Sequence, residues 1–253
     1  VENWKEGHCL GVTAAGDVNI PFTFDGRRWK AGKQVEVTAD QKVSAYYPYN
    51  VQYTDMTAIP VDITTQEDYM YGEGGVSVEK PSAVLVMKHA LSLVRILIKK
   101  NDYTGDGRVD AVTFGGVRLS ASMDVTSGKL LPTGQPGEYK AGGNYTLDDA
   151  SPVYVEAILM PVGTAEGITV NVHVDGRDFT YALPPTHVWN PGMIYTYTLN
   201  MKSGYNCEVD VDHVPMDEEY WSTFGKTDRI VMRDCGTDRI YIRPNYTGYG
   251  YDT

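Results

Sequence analysis

Hydrophobic and polar residues alternate in short runs along most of this chain, and turn-forming residues separate the runs. IPFTFDGRRW (20–29) reads as strand, Asp25-Gly26 turn, strand. ITVNVHVDGRDFTYAL (168–183) repeats the device, with Val170, Val172 and Val174 on one face and Asp175-Gly176 at the turn. Asp-Gly between alternating runs is a strong hairpin signal, because a type I′ turn needs positive φ at both central residues. KQVEVTA (33–39), VSAYYPY (43–49), VYVEAILMP (153–161) and MIYTYTLNM (193–201) predict further strands. Short strands at such regular spacing predict a sandwich or barrel.

The most apolar stretch, KHALSLVRILIKKN (88–101), satisfies two periods at once. As a helix, Leu91, Val94 and Ile98 share a face; as a strand, Leu93, Arg95 and Leu97 alternate against Val94, Ile96 and Ile98. The all-β surroundings favour a central strand over 96–99, read straight through because both faces are covered, with HALS making a helical turn at its entry.

GEGGVSVEKP (72–81) breaks the pattern and reads as a linker. It divides an N-terminal β-sandwich domain, 1–78, from a second, 79–203, with an extension at 204–253. Within the extension VPMDEEYWSTFG (214–225) predicts a short helix, with Pro215 at its first position, acids in the first turn and Gly225 past its end. Met216, Tyr220 and Phe224 would form its docking stripe. A repeat follows: TDRIVMRDCG (227–236), then TDRIYIRPNY (237–246). Ile230, Met232, Ile240 and Ile242 fall on one strand face, and Arg229, Arg233, Arg239 and Arg243 on the other. This amphipathic ribbon pairs with itself or joins another sheet. It is expected to be an assembly element, its rival being a hairpin packed permanently on the second domain.

Composition sharpens the class. Apolar content of 42% and charge of 22% are those of a folded protein. Acid outnumbers base by 33 to 22, which argues against a nucleic-acid partner. No apolar run reaches the roughly 20 residues that span a bilayer. Val1 opens on a polar stretch without a charged n-region, so no signal peptide is expected within the chain. The 19 Tyr against 5 Phe suit half-buried sheet surfaces. Cys9, Cys207 and Cys235 lie far apart and form neither a staple framework nor a zinc site.

Catalytic fingerprints are missing: there is no G-x-S-x-G elbow, P-loop, H-E-x-x-H or G-x-G-x-x-G. His8, His89, His173, His187 and His213 offer no pair at ligand spacing, and His89 reads as structural. In DYTGDGRVDAVT (102–113), Asp102, Thr104, Asp106, Gly107 and Asp110 match positions of a calcium loop. Thr113 stands where a bidentate Glu should close the shell, and RVDAVTFGGVRL alternates like a strand rather than a helix. Neither metal nor cofactor is expected. CEVDVDH (207–213) sets Glu208, Asp210 and Asp212 on one face, a row able to bridge a cation or to block unwanted strand pairing. The NYT triplets at Asn144 and Asn245 match a glycosylation sequon, which matters only in a eukaryotic secretory pathway.

Taken in order, WKEGHCLGV (4–12), FTFDGRRWKAG (22–32), VSAYYPYN (43–50), DYMYGEG (68–74), LVMKHALSLVRILIKK (85–100), AILMPV (157–162) and HVWNPGMIYTYTLNM (187–201) resemble the fimbrillin-like proteins of Bacteroides-type bacteria, subunits and accessory proteins of surface pili. The resemblance covers about residues 1–203. It implies an all-β fold of two transthyretin-like Greek-key β-sandwich domains, here with a C-terminal helix-plus-ribbon extension. It also implies export as a lipoprotein to the outer membrane or pilus, and assembly with other pilus subunits by insertion of a donor strand. The lipid-bearing cysteine would precede the mature chain; Cys9, inside a family motif, is not that residue. In the family, cleavage after an Arg or Lys opens the acceptor groove, and Arg27 and Arg28 here lie inside a predicted hairpin. The expected protein is a non-enzymatic pilus subunit or accessory adhesin that meets a host or bacterial surface ligand. The rival from another class is a surface carbohydrate-binding protein using exposed tyrosines.

Overall fold

A computed structural model describes residues 4–80 and 82–202, together with the backbone of 217–220, 227–231 and 241–245. The strands of its first unit are β1 (Cys9–Ala14), β2 (Asp17–Phe24), β3 (Trp29–Ala31), β4 (Gln41–Tyr47), β6 (Met70–Val76) and β7 (Ser82–His89). β5 (Ile59–Asp62) leaves that unit and pairs with β9 (Arg108–Met123) in the second. The rest are β8 (Ser92–Asp102), β10 (Leu130–Gly142), β11 (Tyr145–Thr146), β12 (Val153–Leu159), β13 (Thr169–Val174), β14 (Arg177–Ala182), β15 (Met193–Lys202), β16 (Asp217–Tyr220), β17 (Thr227–Val231) and β18 (Tyr241–Asn245). The all-β expectation holds. Among the described residues no helix is long and apolar enough to cross a membrane.

In the first unit the strand order is β3-β2-β1-β4-β6-β7, and β17 with β18 closes the circle between β7 and β3. Leu10, Val12, Ile20, Phe22, Trp29, Val43 and Leu85 fill the interior. β7 pairs with β6, so the first sheet runs on to His89, beyond the linker expected at 72–81. That glycine-rich stretch is strand, not linker. Its glycines serve close approach: a Cβ on Gly72 would lie 2.6 Å from the Val86 carbonyl oxygen, and one on Gly74 as near to that of Val84.

The second unit stacks two sheets. One has the order β10-β9-β13-β14, with β5 and β11 added along β9; the other is β12-β8-β15-β16. β15 runs parallel to β8 and the remaining pairs are antiparallel. Between the sheets lie Val94, Ile96, Ile98, Val112, Phe114, Val170, Val172, Tyr195 and Tyr197. The buried indole of Trp189 donates to the Tyr197 hydroxyl at 2.9 Å, so this polar atom is satisfied inside the core.

Several expectations meet this fold directly. The 169–182 hairpin turns at Asp175 (φ 48°) and Gly176 (φ 75°), the positive pair a type I′ turn demands. The Asp25-Gly26 turn is longer than a two-residue loop: Phe24 pairs with Trp29, and the Asp25 carboxylate accepts the Arg27 and Arg28 amides at 3.0 and 2.8 Å. The segment 88–101 is strand, and β8 sits between β12 and β15. Only one of its faces, Ser92, Val94, Ile96 and Ile98, is sealed; Leu93, Arg95 and Leu97 are half-covered. HALS makes no helical turn; Ala90 and Leu91 form a bend between β7 and β8.

Two further readings are corrected. Residues 33–39 form no strand, although Val35 and Val37 are buried in the first core. The helix expected over 214–225 is replaced at 217–220 by β16, which adds to the edge of β15 from Met193 to Thr196. A helix of so few residues is marginal alone, whereas a waiting sheet edge supplies hydrogen bonds at once.

Candidate assembly site

The feature that sequence proximity does not explain is the closure of the first sheet. β3 ends at residue 31 and β7 begins at residue 82, and the strands placed between them come from the end of the chain. β17 runs antiparallel to β7, with Ile230 opposite Ala83 and Arg229 opposite Val84. β18 runs antiparallel to β17, with Ile230 opposite Ile242 and Arg229 opposite Arg243. On its other side β18 meets β3, Ile242 opposite Trp29 and Tyr241 opposite Lys30.

One row therefore crosses the closure: Ala83, Ile230, Ile242, Trp29. Directly opposed residues of antiparallel strands share a face. Ala83 and Trp29 are fully buried, so Ile230 and Ile242 hold register positions on the inward face. Two of the four residues expected to drive assembly thus fall in one row. Met232 and Ile240 lie outside the described residues, as does the acidic row 207–213.

The flanks are built differently. On β7, Ala83, Leu85 and Met87 point into the core while Val86, 48% exposed, faces out. β3 is anchored by Trp29, whose ring packs edge-on against Trp4 at 4.9 Å and tilted against Phe24 at 5.3 Å. Among the described residues its indole Nε1 has no hydrogen-bond partner. The turn leading into β3 is fixed by Asp25, which takes the Lys30 ammonium at 2.9 Å. That hydrogen bond, with the Arg28 and Arg27 amides, holds the Asp25 carboxyl well below the usual carboxylate range. Arg27 and Arg28 are exposed at the tip of this turn.

Other candidate chemistry is satisfied locally. His89 and Asp68, both buried, meet at 2.7 Å, a structural pair at the end of β7. The calcium-like loop is closed from outside: the Asp175 carboxylate accepts the Gly107 amide at 2.9 Å, the Arg108 amide at 2.8 Å and the Tyr103 hydroxyl at 2.7 Å. Among the described residues no three His, Cys, Asp or Glu side chains converge as a metal site. A polar cleft of about 620 Å³ lies at the far end of β8, lined by Lys99, Lys100, Asn101, Asp102, Asp148 and Asp149. Among the described tyrosines only Tyr154 is exposed, at 56%. The others are buried or half-buried, and all but Tyr49 pack in or against one of the two cores.

A family model described as fimbrillin-like matches residues 3–212 of this chain. A candidate cell adhesion protein from Bacteroides uniformis superposes with a TM-score of 0.71 at 20% identity, over 87% of this chain and 94% of that one. Another from Bacteroides ovatus gives 0.66 at 16% identity, over 87% and 89%. At such identities the likeness is one of fold. The chain matches no curated protein.

Proposed function

This chain belongs to the fimbrillin-like family, and from that premise we propose that it is a non-enzymatic subunit or accessory protein of a surface fimbria, built into the fibre by strand donation. The family supports a role in fimbriae and adhesion and a place at the cell surface. The finer reading has the ribbon Ile230, Met232, Ile240 and Ile242 as the donated element and other fimbrial subunits as its partners. It further takes the two units as transthyretin-like Greek keys, and has the precursor reach the outer membrane on a lipid anchor.

One observation carries the proposal: β17 and β18 fill a gap between β3 and β7 that the first unit's own strands leave open. Such a gap offers apolar core and unpaired backbone to any strand of the right pattern, and the same ribbon supplied by a neighbour satisfies both. The test is complementation. A chain ending at residue 225 should lose melting temperature and oligomers together. A synthetic peptide of residues 226–246 should bind it and restore the melting temperature. At about 100 times its Kd such a peptide adds about 2.7 kcal/mol. Failure of the peptide to bind, with oligomers persisting in the truncated chain, would refute strand donation.

A further inference from the structure

Ligand sites form preferentially where separate units meet, as concave and mostly apolar pockets with a few polar groups. A pocket of this kind, about 300 Å³ in volume, lies at the junction of the two units. β6 brings Tyr71 to it from the first unit, and the turn between β9 and β10 brings Ser127, Gly128 and Lys129 from the second. Pro132 on β10, Pro161 after β12 and Pro191 before β15 add walls. Ala90 and Met160, both buried, complete the apolar part of the lining.

The lining is set before any ligand arrives. Gly128 sits at φ 68°, and a Cβ there would collide with the Tyr71 ring, so the ring is held against the turn backbone. The turn is tied in its own right. The Gly128 amide donates to the Asp124 carbonyl at 2.7 Å, and the Asp124 carboxylate accepts the Thr126 and Ser127 amides at 2.8 and 3.2 Å. The proline rings have no rotamer freedom to lose. A surface so ordered in advance suits a small ligand, whose few contacts could not offset the cost of ordering a mobile one.

Its charge differs from that of the molecule. The chain carries a net charge of -11, yet among the described residues no Asp or Glu lines the pocket. Lys129 stands exposed in the lining. Lys88 lies opposite Tyr71 on β7, with its ammonium 6.0 Å from the centre of the ring. Carboxylates of the protein take Arg28, Lys30, Lys33, Lys42, Arg95 and Arg108; among the described residues none takes Lys88 or Lys129. The cleft at the end of β8 is different, because Asp102, Asp148 and Asp149 offset its Lys99 and Lys100. An anion is therefore drawn to the pocket and repelled by most of the remaining surface.

The prolines decide what body the anion has. Pro132, Pro161 and Pro191 carry no N–H, so these walls cannot donate to a peptide main chain, the contact on which strand-like peptide recognition rests. They offer ring carbons and carbonyl acceptors instead. A sugar ring matches both, since its hydroxyls donate and its C–H face packs on proline and tyrosine carbon. We propose that this pocket binds one acidic sugar residue, a pyranose bearing a carboxylate, at the free end of a surface glycan. Its carboxylate meets Lys129 within the field of Lys88, and its ring packs on Tyr71 and the prolines. No ribbon residue lines the pocket, so the site stands whether or not strands are donated.

Calorimetric titration of the full chain tests this with two acidic probes, methyl glucuronide and sialyllactose, beside their neutral counterparts, methyl glucoside and lactose. Uronic and sialic acids share the chemistry, and the two probes separate them. At least one acidic probe should bind, its neutral counterpart about tenfold more weakly or worse, and added salt should narrow the gap. Lys129→Glu should weaken the acidic sugar about tenfold or more. Lys99→Glu makes the same change of charge in the other cleft and should leave binding as it was. Both lysines are exposed, so the fold is kept, and an unchanged melting temperature checks it. Equal loss in the two variants would show a general effect of charge and overturn the site. Equal binding of acidic and neutral sugars, or no heat from any of them at millimolar concentration, would overturn the ligand class. An acidic hexapeptide that binds where the sugars do not, and is weakened by Lys129→Glu, would overturn it in favour of a protein partner.

Discussion

Asp175 shows how one side chain can settle a loop. It occupies the left-handed first position of the β13–β14 turn and reaches across to the 103–108 segment. Partial burial alone would raise its pKa. The amides of Gly107 and Arg108 and the Tyr103 hydroxyl outweigh that, and the net position is below the ordinary value. A depressed folded pKa means that the carboxylate stabilises the fold above its unfolded pKa of about 3.9, and that this contribution fades as pH falls through the folded value. Asp175→Asn keeps the turn, since Asn tolerates positive φ, but loses the charge. The variant should melt lower than the parent at pH 7, with the gap closing in acid; a gap that persists unchanged to pH 2 would count against the carboxylate. The same geometry bears on calcium. With Asp175 satisfied by protein donors and Asp102 and Asp106 exposed, millimolar calcium should leave the melting curve where it is. A micromolar site would add about 4 kcal/mol, a shift readily seen and reversed by chelator.

At the scale of elements, β8 carries the clearest energetic forecast. Ile96 is fully buried between the sheets, so Ile96→Ala should destabilise by roughly 2–5 kcal/mol through lost transfer energy and a cavity. Leu93 lies on the half-covered face, and Leu93→Ala should fall below that range. Equal losses in urea unfolding would mean that both faces are sealed. That asymmetry was only half legible beforehand. The apolar run announced a central strand, but which face a neighbouring layer covers depends on segments far away in the chain. Hairpins read well because their signal is local: Asp175-Gly176 states its φ requirement in two residues. The glycines at 72–75 misled because the same residue that frees a linker also admits a neighbouring carbonyl, as Gly72 does with Val86. Val35 and Val37 misled in the opposite way. They alternate like a strand and are buried like one, yet no ladder forms there. In the ribbon, self-pairing was one of the two readings the repeat allowed, but neither the register of Ile230 with Ile242 nor the place between β3 and β7 was legible, since nothing local in 227–246 encodes residues 29 or 83.

The whole molecule has two cores, and the chain stitches them rather than merely linking them. Tyr46 stands on β4 of the first unit, but its ring packs in the second core. Its hydroxyl donates to the Asn19 Oδ1 at 2.8 Å, and burial pushes the phenol up to about 12. The Asn19 amide in turn donates to the carbonyls of Asn50 and Tyr53 at 2.9 and 2.7 Å, which fixes the segment that leads into β5. β5 then lies along β9 from Ile59 to Asp62, and Ile63 is buried beyond it. Gln66 ends the stitch. Its side-chain amide donates to the Ile158 carbonyl at 3.1 Å and accepts the Ile158 amide at 2.8 Å, acting as a short piece of strand on the edge of β12. Because backbone of the first ninety or so residues completes the second unit in this way, neither core can open without exposing part of the other. Calorimetry of the full chain should therefore show one transition with equal calorimetric and van't Hoff enthalpies. Gln66→Ala leaves the Ile158 amide without its partner, a loss of about 1–3 kcal/mol. If the stitch is what couples the cores, the variant should broaden that transition or divide it as well as lower it. Two separate peaks in the parent protein would show that the units unfold independently and that the β5–Gln66 segment is only a passenger on the second.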